Sequence, residues 1–157
     1  MKIEFFHASK YGNGLKIAKE FQNQMRTKGH DVSIHHIRDI KPDQVSNAEL
    51  YIFASPGRIG KPIGSMRRFL KKINLPAKTR YAVISTEIKP KADKKTGKIP
   101  SEEEIDKWQR IISTMDDLLQ TKDLIKIAEM RIMVIDLKGP LEDGWQKKIE
   151  LFSSQIV

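Results

Sequence analysis

No cysteine occurs anywhere in the 157 residues. Disulfide bracing, thiolate catalysis and cysteine-built metal sites are thereby excluded, and a reducing compartment, the cytoplasm, is the expected setting. Aromatic residues make up only 7% of the chain. That argues against nucleic acid as a partner, because single-strand binders interleave stacking rings with their charge. No apolar run approaches the ~20 residues needed to cross a bilayer. The opening MKIEFF is too short for a secretory leader and lacks a small-residue cleavage site. His7, His30, His35 and His36 have no metal-ligand spacing with carboxylates or with each other, and no nucleophile–base constellation is visible. His7 reads as a structural residue at a strand end.

What is present is a core. Hydrophobic residues reach 39% and charged ones 31%, which suits one ordinary domain spanning 1–157 rather than a disordered chain. The net charge of +9 is unevenly placed. Between Arg58 and Lys98 stand thirteen Lys and Arg against Glu87 and Asp93 alone, a local +11 that leaves −2 for the rest. Such a concentration is either a solvated face or a docking surface for an anion or an acidic partner.

Apolar periodicity gives alternating strands and helices. Residues 2–7, 50–55 and 80–86 read as strands covered on both faces. Residues 31–37 alternate as a strand nearer an edge, and 130–137 supply a fifth. Leu15, Ala18, Phe21 and Met25 define a first helix closed by Gly29, and Ile63, Met66, Phe69, Leu70 and Ile73 a second. Ser101 with Glu104 forms a capping box. Behind it Ile105, Trp108, Ile111, Ile112, Met115, Leu118 and Leu119 predict one helix of about four turns with Trp108 in the core. Trp145, Ile149, Phe152 and Ile156 define a last helix after Gly139-Pro140. Residues 87–100 read as a long Lys-rich loop.

This order predicts a doubly wound, five-stranded parallel α/β sheet of order 2-1-3-4-5 with helices on both faces. Ligands then bind where strand order reverses. Here that means residues 8–14 and 55–62, with 86–100 beside them. The stretch Ser9-Lys10-Tyr11-Gly12-Asn13-Gly14 is an ordinary strand-to-helix turn on one reading. On the other it is a phosphate cradle, because the free N–H groups and dipole of a helix start suit an anion.

ASKYGNGLKIAKEF resembles the phosphate loop of the flavodoxin superfamily, and ASPGRIGKPIGSMRRFLKKI resembles its second flavin loop. The second loop is nearest the S-P-x-x-x-G-K form of the branch that includes menaquinone-dependent protoporphyrinogen oxidase. KGPLEDGW is similar to the tail of flavodoxin-domain proteins. The resemblance implies non-covalent FMN. Ser9, Tyr11, Asn13 and Gly14, with the backbone of Lys10 and Gly12, would surround its phosphate. Ser55, Pro56, Gly57, Arg58, Ile59 and Gly60 would line the ring, with Thr86 and Glu87 approaching from the third loop.

The resemblance further implies an FMN-dependent oxidoreductase or electron carrier working with a redox partner protein or small acceptor. The basic region suggests that such a partner is acidic. Two departures stand out. Tyr11 and Gly14 replace threonines common in the family, and Arg58 and Ile59 stand where a stacking aromatic is usual. The missing stacking aromatic supports an alternative, a flavodoxin-fold module without FMN that docks an acidic protein or other anion through residues 58–98.

Overall fold

The computed structural model describes residues 1–157. Its frame is five parallel strands: β1 (Lys2–His7), β2 (Asp31–His36), β3 (Leu50–Arg58), β5 (Arg80–Ile88) and β6 (Ile125–Val134). They lie in the order β2-β1-β3-β5-β6. The two-residue β4 (Lys61–Pro62) pairs antiparallel with the end of β3. Counting only the five long strands, this is the expected 2-1-3-4-5 arrangement.

The pleat sorts the core into two halves. Ile3, Phe5, Ile52, Ala54, Ala82 and Ile84 face α1 (Asn13–Thr27) and α5 (Trp145–Ile156), which contribute Ile17, Phe21, Met25, Ile149 and Phe152. Phe6, Tyr51, Phe53, Tyr81 and Val83 face α2 (Gly64–Lys72) and α4 (Ile111–Gln120). Strands β1, β3 and β5 are buried on both faces, which explains their nearly continuous apolar sequence. β6 is an edge strand, buried only at Ala128 and over its last three residues. Its early residues carry Lys126 and Glu129, an ion pair at 2.9 Å, so its start is hidden from a search for apolar runs. It opens at Ile125 rather than at Met130 and closes at Val134.

The predicted long helix is two helices. α3 (Glu102–Trp108) ends at Gln109, whose φ of −93° and ψ of 96° are extended. α4 follows from Ile111. Ser101 caps α3 as the capping box requires, accepting the N–H of Glu104 at 3.2 Å. The break has a tertiary cause. The N–H of Arg110 donates to the carbonyl of Gly60 at 2.6 Å, outside the helix. A Cβ on Gly60 would lie 2.3 Å from the carbonyl oxygen of Trp108. The turn that carries Gly60 therefore sits where a continuous helix would run. Trp108 is left 52% exposed, outside the core.

Phe21 is fully buried and packs against Phe5 and Phe152, each at a ring separation of 5.7 Å. Truncating such a ring loses transfer energy and leaves a cavity. Phe21→Ala is expected to cost about 3–5 kcal/mol, read as a lowered urea midpoint at unchanged m-value.

Candidate functional site

β1 and β3 are neighbours, yet their onward connections leave to opposite faces of the sheet. A gap opens at their C-terminal ends, and the chain turns there through Ala8 to Gly12. Gly12 has a φ of +92° and starts α1 with no side-chain cap. No acidic residue occupies the first turn of the helix. The N–H groups of Lys10 through Leu15 donate to no acceptor in the protein, the first intrahelical bond being that of Lys16 to Gly12. Gly14 packs under the turn, where a Cβ would lie 3.2 Å from that of Ser9. The Ser9 hydroxyl is buried and has no hydrogen-bond partner.

The turn is held from behind by two histidines. The N–H of Ser9 donates to His7 Nδ1 at 3.2 Å. His36 Nε2 donates to the Ser9 carbonyl at 2.9 Å, while its Nδ1 accepts the N–H of Arg38 at 3.1 Å. His7 is only 4% exposed. Burial, and then the charges of His36 and Arg38, push its pKa down to about 4. It is neutral at physiological pH and serves the turn as an acceptor.

In front of the turn lies an open cleft of about 270 Å³. It is lined by Ser9, Lys10, Tyr11, Asn13, Gly14, Pro56, Gly57, Arg58, Ile63, Thr86, Ile88, Val134 and Leu137. Nine of these are residues singled out from the sequence. The other five singled-out residues lie elsewhere. Gly12 faces a concavity behind the turn. Ser55 is buried; its hydroxyl donates to the Pro56 carbonyl at 2.9 Å and accepts the N–H of Ile63 at 3.3 Å, so it braces the second loop.

Ile59, Gly60 and Glu87 line a separate groove with Trp108 and Ile111. Glu87 belongs to β5 rather than to a loop and is 3% exposed. Its Oε2 accepts from Ser85 Oγ at 2.5 Å and from Arg131 Nε at 2.9 Å. Arg131 also binds Asp106.

Ile63, Ile88, Val134 and Leu137 line the cleft without having been singled out. Leu137 belongs to the β6–α5 connection, which folds back onto the first turn. There Asn13 Nδ2 donates to the Lys138 carbonyl at 3.5 Å, and Lys138 stands 5.8 Å from the Tyr11 ring centre. The KGPLEDGW tail was the available signal for this third wall.

The second loop is a hairpin. β3 runs on past the sheet and pairs Gly57 with Pro62 and Arg58 with Lys61. The two turn residues have positive φ, Ile59 at +53° and Gly60 at +73°. Two such residues suit a two-residue hairpin of right-handed twist. A β-branched residue is nonetheless costly there, by roughly 1–2 kcal/mol. Ile59 is 95% exposed, so packing does not compensate.

Two expectations follow. Ile59→Gly is predicted to raise stability by about 1 kcal/mol, seen as a higher denaturant midpoint. The second concerns pH. The unfolded chain binds a proton to His7 below pH 6.5, whereas the fold resists until about pH 4. Stability contributed by neutral His7 is therefore complete above pH 6.5 and is lost as pH falls toward 4, by about 3 kcal/mol. Unfolding curves at pH 7, 5.5 and 4.5 should show this slope, and His7→Asn should flatten it.

No family model matches the chain, and no curated protein sequence matches it. Its fold does have solved counterparts. A flavodoxin from Streptococcus pneumoniae superposes with a TM-score of 0.68 at 17% identity, covering 99% of this chain and 97% of that one. Oxidised flavodoxin 1 from Bacillus cereus gives 0.69 at 15%, covering 99% and 96%. Rubredoxin:oxygen oxidoreductase from Desulfovibrio gigas gives 0.72 at 14%. This chain is covered to 99% in that match but spans only 35% of the larger enzyme. The chain carries the flavodoxin fold, with its cleft at the strand ends where the order of the sheet reverses.

Proposed function

We propose that the cleft holds FMN and that the protein passes electrons between the flavin and an acidic redox partner or small acceptor. The observation that carries this reading is the first turn. A buried hydroxyl without a partner, Ser9 Oγ, stands beside a row of N–H groups that no protein atom accepts. Buried polar groups are normally paired, so this cluster fits a ligand with several acceptor oxygens. A phosphate dianion at a helix start supplies them.

The rest of the cleft fits the remainder of the group. Pro56, Gly57, Ile63, Ile88, Val134 and Leu137 give apolar walls for a flat ring. Bound FMN would supply one- and two-electron chemistry. The protein's part is to orient it, exclude water from one face and set the local charge. Arg58 lines the cleft, and the nearby carboxylate Glu87 is tied to Arg131. That balance favours the anionic, fully reduced flavin.

Docking draws on a different set of residues. Ile59, Ile88, Trp108 and Leu137 are exposed apolar side chains, each lining the cleft or its neighbouring groove. The Lys-rich segment 89–98 is exposed except at Pro90. An acidic partner with an apolar centre fits this pairing of a basic surround and exposed apolar groups.

Titration with FMN tests the reading. Quenching of flavin fluorescence at micromolar concentration is expected, with riboflavin at least ~100-fold weaker because it lacks the charge-assisted phosphate bonds. Ser9→Ala should weaken FMN about 10-fold, the equivalent of one hydrogen bond of about 1.4 kcal/mol. Indifference to FMN up to millimolar concentration would leave the docking surface as the function. In the FMN-loaded protein, Arg58→Gln is expected to lower the second reduction potential by on the order of tens of millivolts, measured by redox titration.

A further inference from the structure

The groove beside the cleft, between the hairpin of the second loop and the α3–α4 junction, has a volume of about 410 Å³. Two glycines set its shape. A Cβ on Gly57 would lie 2.3 Å from Ile111 Cδ1, and one on Gly60 would lie 2.3 Å from the Trp108 carbonyl oxygen. The hairpin closes on the helices at these two points, and the space left over is flanked by Ile59, Ile88 and Trp108. Glu87 lines it as well, although it is almost fully buried. Ser85 and Arg131 both donate to Glu87 Oε2, and neither is a wall of the groove. The carboxylate is thus gripped from behind by one oxygen. The other, Oε1, is buried and receives no hydrogen bond from the protein. A buried carboxylate oxygen normally accepts at least one, so Oε1 marks a place for a donor the chain does not supply.

Charge and surface say what carries that donor. Glu87 already has its countercharge in Arg131, which Asp106 shares. Arg58 and Lys61 flank the Ile59-Gly60 turn and Lys89 follows Ile88. None of these three has a carboxylate within ion-pair distance. A further cation would enter a positive field, so the free oxygen suits a neutral O–H or N–H. Trp108 offers half of its surface to solvent, and Ile59 and Ile88 add apolar area, which suits a flat ring. Ile59 gains a use on this reading. Its positive φ is costly and its side chain packs on nothing in the fold, whereas strain of this kind collects where a ligand is held.

We propose that this groove binds a neutral planar ring bearing a hydroxyl or N–H, with the ring against Trp108 and Ile59 and the donor on Glu87 Oε1. The groove shares Gly57 and Ile88 with the first cleft, so such a ligand stands beside whatever the cleft holds. Its binding does not require a flavin there.

Phenol and anisole are the test probes, anisole carrying a methyl group in place of the donated hydrogen. Each is titrated into the whole nitrogen-15-labelled protein and followed by NMR. The chain has two tryptophans, and Trp145 packs against the α1–α5 half of the core, so their indole N–H signals separate the groove from the rest of the molecule. Trp145→Phe assigns them. Phenol is expected to shift the Trp108 signal and to bind at least ~10-fold tighter than anisole. Glu87→Gln keeps an oxygen for Ser85 and Arg131 and turns an amide nitrogen to the groove. It should reverse the order, because the ether oxygen of anisole then meets a donor. Ile59→Gly should weaken both probes by about 3-fold at an unchanged ratio. Equal wild-type affinities would overturn the inference, since water would then satisfy Oε1. A phenol preference that persists in folded Glu87→Gln, or shifts at Trp145 alone, would also overturn it. Should Glu87→Gln fail to fold, undiminished phenol binding by Ile59→Gly would do so. The FMN reading is tested separately, because neither probe carries a phosphate.

Discussion

The geometry of one turn governs the rest of the molecule. A strand that ends buried and a helix that begins at once leave several amides without acceptors. Capping with a side chain is the usual remedy, and α1 has none. The turn keeps its shape because Ser9 is gripped through its N–H by His7 and through its carbonyl by His36. Those two bonds lie behind the turn, so the unmet donors are left for the front. Sheet order then decides what the front faces. With β1 beside β3 and their helices on opposite faces, the turn opens onto a gap that no helix fills.

The second wall is built by overshoot. β3 continues beyond its parallel partners, folds back as a hairpin and lodges Gly60 against the carbonyl of Trp108. One contact thereby shapes three features. It interrupts what would be a continuous helix, exposes Trp108, and fixes Arg58 at the mouth of the cleft. Ile59 sits at positive φ on the tip with no packing in return. Strain of this kind persists where surrounding structure over-determines it. Here the bond from Arg110 to Gly60 and the pairing of Arg58 with Lys61 do so.

The sheet was legible because its central strands are buried on both faces and read as short apolar runs. The edge strand was misplaced at its start because Lys126 and Glu129 satisfy each other there and mask the pattern. The helix break at Gln109 left no local trace, since its cause, Gly60, lies nearly fifty residues earlier in the chain. The first turn was legible from its glycines and its place after a strand. Its support by His36 was not, because that residue arrives through parallel pairing of β1 with β2, which sets His7 opposite His36. Glu87 drew notice through the family resemblance, which places it on a third loop beside the ring. Only the fold shows that it faces Arg131.

The charge pattern follows from which carboxylates are spoken for. Of the acids near the strand ends, Glu87 and Asp106 share Arg131, and Asp39 lies beside Arg38. The cations nearest the cleft, Lys10 and Arg58, have no carboxylate within ion-pair distance. Pairing quenches the acids locally, and the unpaired cations set the longer-range field. That field reaches about 8–10 Å in physiological salt, enough to draw an anion toward the turn but not to hold it. The short-range donors that the protein leaves without acceptors, and to which the proposed function assigns retention, are the amides after β1 and the hydroxyl of Ser9. On the proposed reading, surface charge and buried geometry act in sequence on the same kind of ligand, an electropositive rim drawing an anion and a donor-rich turn retaining it.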